Sequence, residues 1–189
     1  MRWRAAAAAE PMGLKALTVD NFLLPDPVTG GFVGRDGDGR EHRLSAVDWA
    51  HEVLGIALGE RVPWEVARQF ELAQGVLVYG FFWSELWSHG ATEALRAGEV
   101  ALSAACARLG APKRATGVAA QIDWLSKRGF LDEAGIERWE SFRQLRDVLM
   151  FPSASPPLTP PQALEVLEAV AFAVVRLFEG EPVEEQRRR

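Results

Sequence analysis

The chain has 189 residues, of which 48% are hydrophobic and 25% charged, and a formal net charge of −5. That is enough apolar material for one domain with a single core, and it excludes wholesale disorder. The acidic balance argues against an open, non-specific polyanion-binding surface but leaves room for a local basic cleft.

The start of the chain, with alanines at Ala5–Ala9, has no apolar stretch long enough for a signal peptide. Met12 is a second candidate initiator, and residues 1–11 are expected to be unstructured. Residues 13–30 carry apolar beads between Pro25, Pro27 and the Gly30-Gly31 pair, the pattern of an extended arm. Gly31-Phe-Val-Gly-Arg35 and Arg40-Glu-His-Arg-Leu44 flank an Asp-Gly-Asp-Gly turn, which signals a local hairpin. Asp36 and Asp38 do not make an EF-hand, because Arg40 and His42 take the next alternate positions and no glutamate closes the loop.

From Ser45 onward the periodicity is helical. Ser45 is expected to cap a helix running to about Leu58 and stopped by Gly59, and Pro63 to open a long helix reaching about Trp87. The most apolar run, Leu72 to Trp87, is interrupted by Gln74 and Glu85. It is too short and too polar to cross a bilayer, so no membrane role is expected. An Ala-rich helix follows over Ala91–Leu109, whose small side chains would let a neighbour approach closely. A shorter helix is expected over Thr116–Lys127, and Asp132 caps the next. Thr159-Pro-Pro-Gln162 opens the last, with threonine at the N-cap, proline at the first helical position and glutamine at the capping-box position. The expected architecture is all-α, a bundle of about five helices with a small N-terminal β hairpin. The arm and hairpin take residues 1–44, the bundle 45–180 and a charged tail 181–189.

Most catalytic signatures are missing. His51-Glu52 begins like a zinc-protease motif, but Gly55 stands where the second histidine belongs. There is no Walker loop, dinucleotide fingerprint or nucleophile elbow. His42, His51 and His89 lie on different elements and suit surface or cap roles better than catalysis. The single cysteine, Cys106, excludes an internal disulfide and a cysteine zinc cluster, reads as a small core residue, and fits a cytoplasmic protein. No metal site, cofactor or catalytic residue is expected. Trp64, Trp83, Trp87, Trp124 and Trp139 have core-like spacings, although tryptophan is also enriched at interfaces. Arg108, Lys113 and Arg114 suit a solvated loop better than a nucleic-acid site.

One segment departs from this ordinary pattern. In Trp139-Glu-Ser-Phe-Arg143-Gln-Leu-Arg146-Asp147-Val-Leu-Met-Phe151-Pro152, Arg146 falls between Trp139 and Phe142 on a wheel of about 100° per residue. A guanidinium on an apolar face calls for a carboxylate partner, a phosphate ligand or a water-filled cleft, unless it snorkels out of a packed seam. Glu99 is the expected partner, because it lies in the middle of the Ala-rich helix that must come close.

Three segments, Glu93–Leu102, Ile122–Leu131 and Leu145–Ser153, with the final apolar helix after Leu158-Thr-Pro, resemble the HEPN superfamily of helical bundles. The resemblance covers roughly residues 62–179. In that family the motif is an arginine, four to six residues, then a histidine, often with a polar residue straight after the arginine and a proline after the histidine. Arg146, Asp147 and Pro152 match; Phe151 stands in the histidine's place.

For catalytic members the resemblance implies a symmetric dimer. Arginines and histidines of both subunits then line a cleft for metal-independent RNA cleavage, often with an antitoxin encoded nearby. Phenylalanine transfers no proton, and loss of a general acid or base costs ~10²–10⁴ in rate. His89 is the one histidine considered as a substitute, and it is not favoured.

The expectation is therefore a degenerate HEPN-like, non-catalytic module that binds protein or RNA, as a homodimer. Arg143, Arg146, Asp147, Phe151 and Glu99 would form a relict site or ligand groove. The alternatives are a nucleotide- or small-ligand-binding bundle with a pocket among Trp83, Trp87, Trp139 and Arg146, and a metal-independent toxin-type ribonuclease.

Overall fold

The computed structural model describes residues 4–5, 15–35, 40–150 and 158–179. Strand β2 (Phe32–Arg35) pairs antiparallel with β3 (Glu41–Arg43), with Val33 opposite Arg43 and Gly34 opposite His42. The hairpin is thus present; its turn, 36–39, lies outside the described residues. A two-residue strand, β1 (Arg4–Ala5), adds to the other edge of β2, so part of the expected unstructured start is paired. Phe32 and Leu44 are buried in the same core as the helices.

Among the described residues six α-helices follow: α1 (Ala46–Leu54), α2 (Trp64–Tyr79), α3 (Leu86–Arg108), α4 (Val118–Lys127), α5 (Glu133–Leu149) and α6 (Pro160–Glu179). The expected caps are in place. The Ser45 hydroxyl accepts from the Asp48 N–H at 3.1 Å, and the Asp48 carboxylate accepts from the Ser45 N–H at 3.2 Å, completing a capping box. Asp132 accepts from the Gly135 N–H at 2.8 Å, and Gln162 from the Thr159 N–H at 2.9 Å. The fold is an all-α bundle in which α3 is central, with α2, α4, α5 and α6 packed on it. No described helix is long and apolar enough to cross a membrane.

Two boundaries differ from expectation. Helix α1 ends at Leu54 rather than near Leu58, because the buried Gln74 amide donates to the Val53 and Ile56 carbonyls at 2.8 and 2.9 Å. That tertiary cap stops α1 a turn early and explains the polar residue inside an apolar run.

The second difference is larger. The helix expected from Pro63 to about Trp87 stops at Tyr79, and the Ala-rich helix expected from Ala91 already starts at Leu86, so the corner between them lies at Gly80–Glu85. A Cβ on Gly80 would lie 2.2 Å from Cδ1 of the buried Trp87. The corner is then fixed by the N-terminal arm. Asp26, fully buried, accepts from the Ser84 N–H at 2.9 Å and from the Val28 N–H at 2.9 Å. Its own N–H and the Thr29 hydroxyl both donate to the Phe81 carbonyl, and Lys15 donates to the Phe82 carbonyl. The arm is a clamp on the α2–α3 corner, not a loose extension.

Small residues on α3 permit close approach, as expected. A Cβ on Gly90 would meet Leu77 Cγ at 2.5 Å, and one on Gly98 would meet Trp139 Cζ3 at 3.0 Å. Of the tryptophans, Trp49, Trp87 and Trp139 are buried, whereas Trp64, expected in the core, is 76% exposed. Residues 180–189, which include the charged tail, lie outside the described residues.

Candidate functional site

Arg146 occupies the last turn of α5, where the helix macrodipole favours a cation, and faces the middle of α3. Its Nη1 donates to Glu99 Oε1, the pairing expected from the sequence, and its Nη2 donates to Asp147 Oδ1 at 2.9 Å. One turn earlier, Arg143 Nε donates to Glu140 Oε2 at 2.9 Å, and its Nη1 lies 3.9 Å from Asp147 Oδ2. The result is a continuous chain of charges: Glu140, Arg143, Asp147, Arg146, Glu99. The hydrogen bond from Arg143 to Glu140, with that carboxylate's charge, raises the Arg143 pKa above its ordinary value.

Both ends of the Arg146–Glu99 pair are part-buried, with 27% and 28% of the side chains exposed. The inner wall is aromatic. Trp139 and Phe142 meet edge-to-face with ring centroids 5.5 Å apart, and the gap they leave beside Glu99 and Leu102 holds only about 10 Å³. Arg146 Nε is buried without a hydrogen-bond partner. On the outer side the arginines face an open groove of about 620 Å³, completed by Thr116, Gly117 and the first turn of α4. Helix α4 has no side-chain cap, and Gly117 precedes it at φ +85°.

The structure therefore brings together Glu99, Arg143, Arg146 and Asp147; Phe151 lies outside the described residues. It also adds three residues the sequence did not point to, Thr116, Gly117 and Val118. The only local signal for them was a glycine just before a helix that lacks a capping side chain. Other expected neighbours are kept apart. His89 is exposed on the first turn of α3, ten residues before Glu99, a separation of about 15 Å along the axis. It does not reach the cluster. Nor do Trp87 and Trp139 come together. Trp87 is a core side chain at the start of α3, while Trp139 sits over Gly98, about 16 Å further along that helix.

Among the described residues, no group of three or more His, Cys, Asp or Glu side chains is placed to hold a metal ion. Comparison with family models, curated proteins and solved structures gave no match to this chain.

Proposed function

We propose that this chain is a non-catalytic, HEPN-like helical module of the cytoplasm that works by binding protein, including a second copy of itself. The observation that carries this reading is the state of the cluster's arginines. Two guanidiniums, of Arg143 and Arg146, are engaged by three carboxylates, of Glu99, Glu140 and Asp147. A phosphate backbone is held by uncompensated positive charge, and this cluster carries none in excess. Without a histidine beside it, the cluster also lacks the acid–base group that the motif would supply.

The test is single-stranded RNA incubated with the purified protein in EDTA, for wild type and Phe151→His, with RNA binding followed by fluorescence anisotropy. Neither protein should cleave, and binding should be weak. Cleavage by the wild type would make the chain a metal-independent ribonuclease and remove this reading; tight binding without cleavage would move the module from protein to RNA.

A second reading rests on the groove. The uncapped start of α4 presents free N–H groups where Arg143 and Arg146 face solvent, an arrangement suited to a single phosphate of a nucleotide or small ligand. It predicts a purine nucleotide that raises the melting temperature, an effect lost in Arg143→Ala. Insensitivity to all nucleotides would remove it.

A further inference from the structure

Helix α2 is apolar on two sides. Val66, Phe70, Ala73 and Leu77 point into the core. On the far side, Trp64, Leu72 and Tyr79 are 76%, 51% and 61% exposed. At about 100° per residue these three, with Arg68, Glu71, Gly75 and Val76, fall within an arc of about 140° that is centred away from the buried face. Together with Leu86 of α3 they line an open groove of about 690 Å³. A surface helix needs one apolar stripe; a second, contiguous and exposed, marks a contact surface.

The order of residues along this stripe identifies its occupant. Trp64 and Tyr79 stand at the two ends and Leu72 near the middle. Set against an antiparallel copy of itself, with Leu72 near the two-fold axis, the stripe puts each Trp64 beside the other's Tyr79. Each Arg68 then crosses opposite Gly75, which has nothing within 4 Å of the position a Cβ would take. From there its guanidinium is one helical turn from the other copy's Glu71. The symmetry supplies that pair twice, replacing an exposed intrahelical Arg68–Glu71 contact of 3.0 Å that is worth little on its own. Self-complementarity of one patch is what a closed two-fold dimer requires.

We infer that two copies of this chain associate through antiparallel α2 helices, with Leu72 at the axis and reciprocal Arg68–Glu71 pairs. The surface is distinct from the arginine cluster. Gln69 ties α2 to Glu93 of α3, while Arg146 meets Glu99; six residues apart, these carboxylates point about 120° away from each other around α3. The 16-residue α2 spans about 24 Å. Such a strip is smaller than the ~800 Å² per partner of a standard interface. The exposed Phe22, Leu23 and Leu24 belong to the arm that is pinned to the α2–α3 corner, and none of them lines the groove. The association is accordingly weak and concentration-dependent.

The inference rests on the reading of the chain as a protein-binding module, and the test separates the two. Sedimentation velocity of the full chain over a concentration series should show a monomer–dimer equilibrium. Leu72→Arg, at an exposed position that leaves the core intact, should weaken it at least tenfold. Arg68→Glu and Glu71→Arg should each weaken it, and the double variant should restore it. Under a mild oxidant Leu72→Cys should cross-link as a dimer, whereas Val47→Cys, more exposed and on α1, should not; the native Cys106 is buried. A chain that stays monomeric throughout the series overturns the inference. So does a dimer indifferent to Leu72→Arg and to the charge exchange, which would keep the self-binding module but place its seam elsewhere.

Discussion

Replacing Arg146 by alanine tests whether the central feature of the sequence is a clamp or a site. The substitution removes one hydrogen-bonded end of the Arg146–Glu99 pair and leaves Asp147 with only the longer contact to Arg143. Fully buried pairs lose ~3–5 kcal/mol when broken, because a charge is left without its partner; exposed pairs are worth about 0–1 kcal/mol. With 27% and 28% of the two side chains exposed, this pair lies between those limits. Two features hold the loss below the upper one. Glu99 regains water through the groove, and deleting the enclosed Nε removes a donor that has no partner. A loss of about 2 kcal/mol follows, which in a chain of this size lowers Tm by about 4–8 °C. The assay is urea denaturation of the wild type, Arg146→Ala, Glu99→Gln and the double variant. The clamp predicts that the double variant loses less than the sum of the singles, by about 1 kcal/mol or more; independent sites add to within ~0.3–0.5 kcal/mol. Arg146→Lys, which keeps the charge and loses the planar fork, should fall in between. Additive losses, or an unchanged midpoint for Arg146→Ala, would refute the reasoning.

Asp26→Ala should cost about 2–3 kcal/mol, because the buried Ser84 N–H loses its acceptor; urea unfolding and faster hydrogen exchange at the Ser84 amide check it. Gly90→Ala gains up to ~1 kcal/mol of helix propensity. It also places a methyl 2.5 Å from Leu77 Cγ and 3.1 Å from the Leu77 backbone nitrogen. Overpacking costs ~1–3 kcal/mol, and the Tm should fall. Burial raises the Cys106 pKa, so the unfolded chain releases the thiol proton first. Stability should decline as pH rises above the ordinary thiol value of about 8.5, by at most ~1.4 kcal/mol per pH unit. Cys106→Ala should flatten that limb of a stability–pH curve, and native Cys106 should react slowly with thiol reagents.

What could be read in advance were the features carried by local chemistry. Ser45, Asp132 and Thr159-Pro-Pro-Gln162 announce helix starts because capping is decided within four residues. The Arg146–Glu99 pairing was legible because a guanidinium on an apolar stripe needs a carboxylate on whichever helix packs closest, and the Ala/Gly-rich stretch was that helix. Long-range contacts set the rest. Nothing around Gly80 ends a helix by itself; the corner exists because Asp26, Thr29 and Lys15, more than fifty residues earlier, collect its backbone groups. The early stop of α1 has the same character, since its last carbonyls belong to Gln74. Trp64 misled for a different reason. Tryptophan at helical spacing reads as core, and only the burial of the opposite face of α2 shows that this stripe points outward.

The clamp also bears on how Phe151→His should be interpreted. In a cleft that holds a scissile phosphate, an arginine must be free to face it. Here Arg146 is held by Glu99 and Asp147, so a histidine alone supplies a proton carrier to a site whose electrostatic partner is already engaged. Phe151→His combined with Glu99→Gln is therefore the stricter variant, since the amide keeps a hydrogen-bond acceptor while removing the competing charge. On the clamp reading Phe151→His melts near the wild type, the combined variant melts lower by the Glu99 contribution, and neither cleaves RNA in EDTA. Cleavage by Phe151→His alone would mean that Arg146 leaves Glu99 readily when RNA is present. The pair would then be a latch over a working cleft, and a saturating RNA analogue should raise the Tm of the wild type more than that of Arg146→Ala.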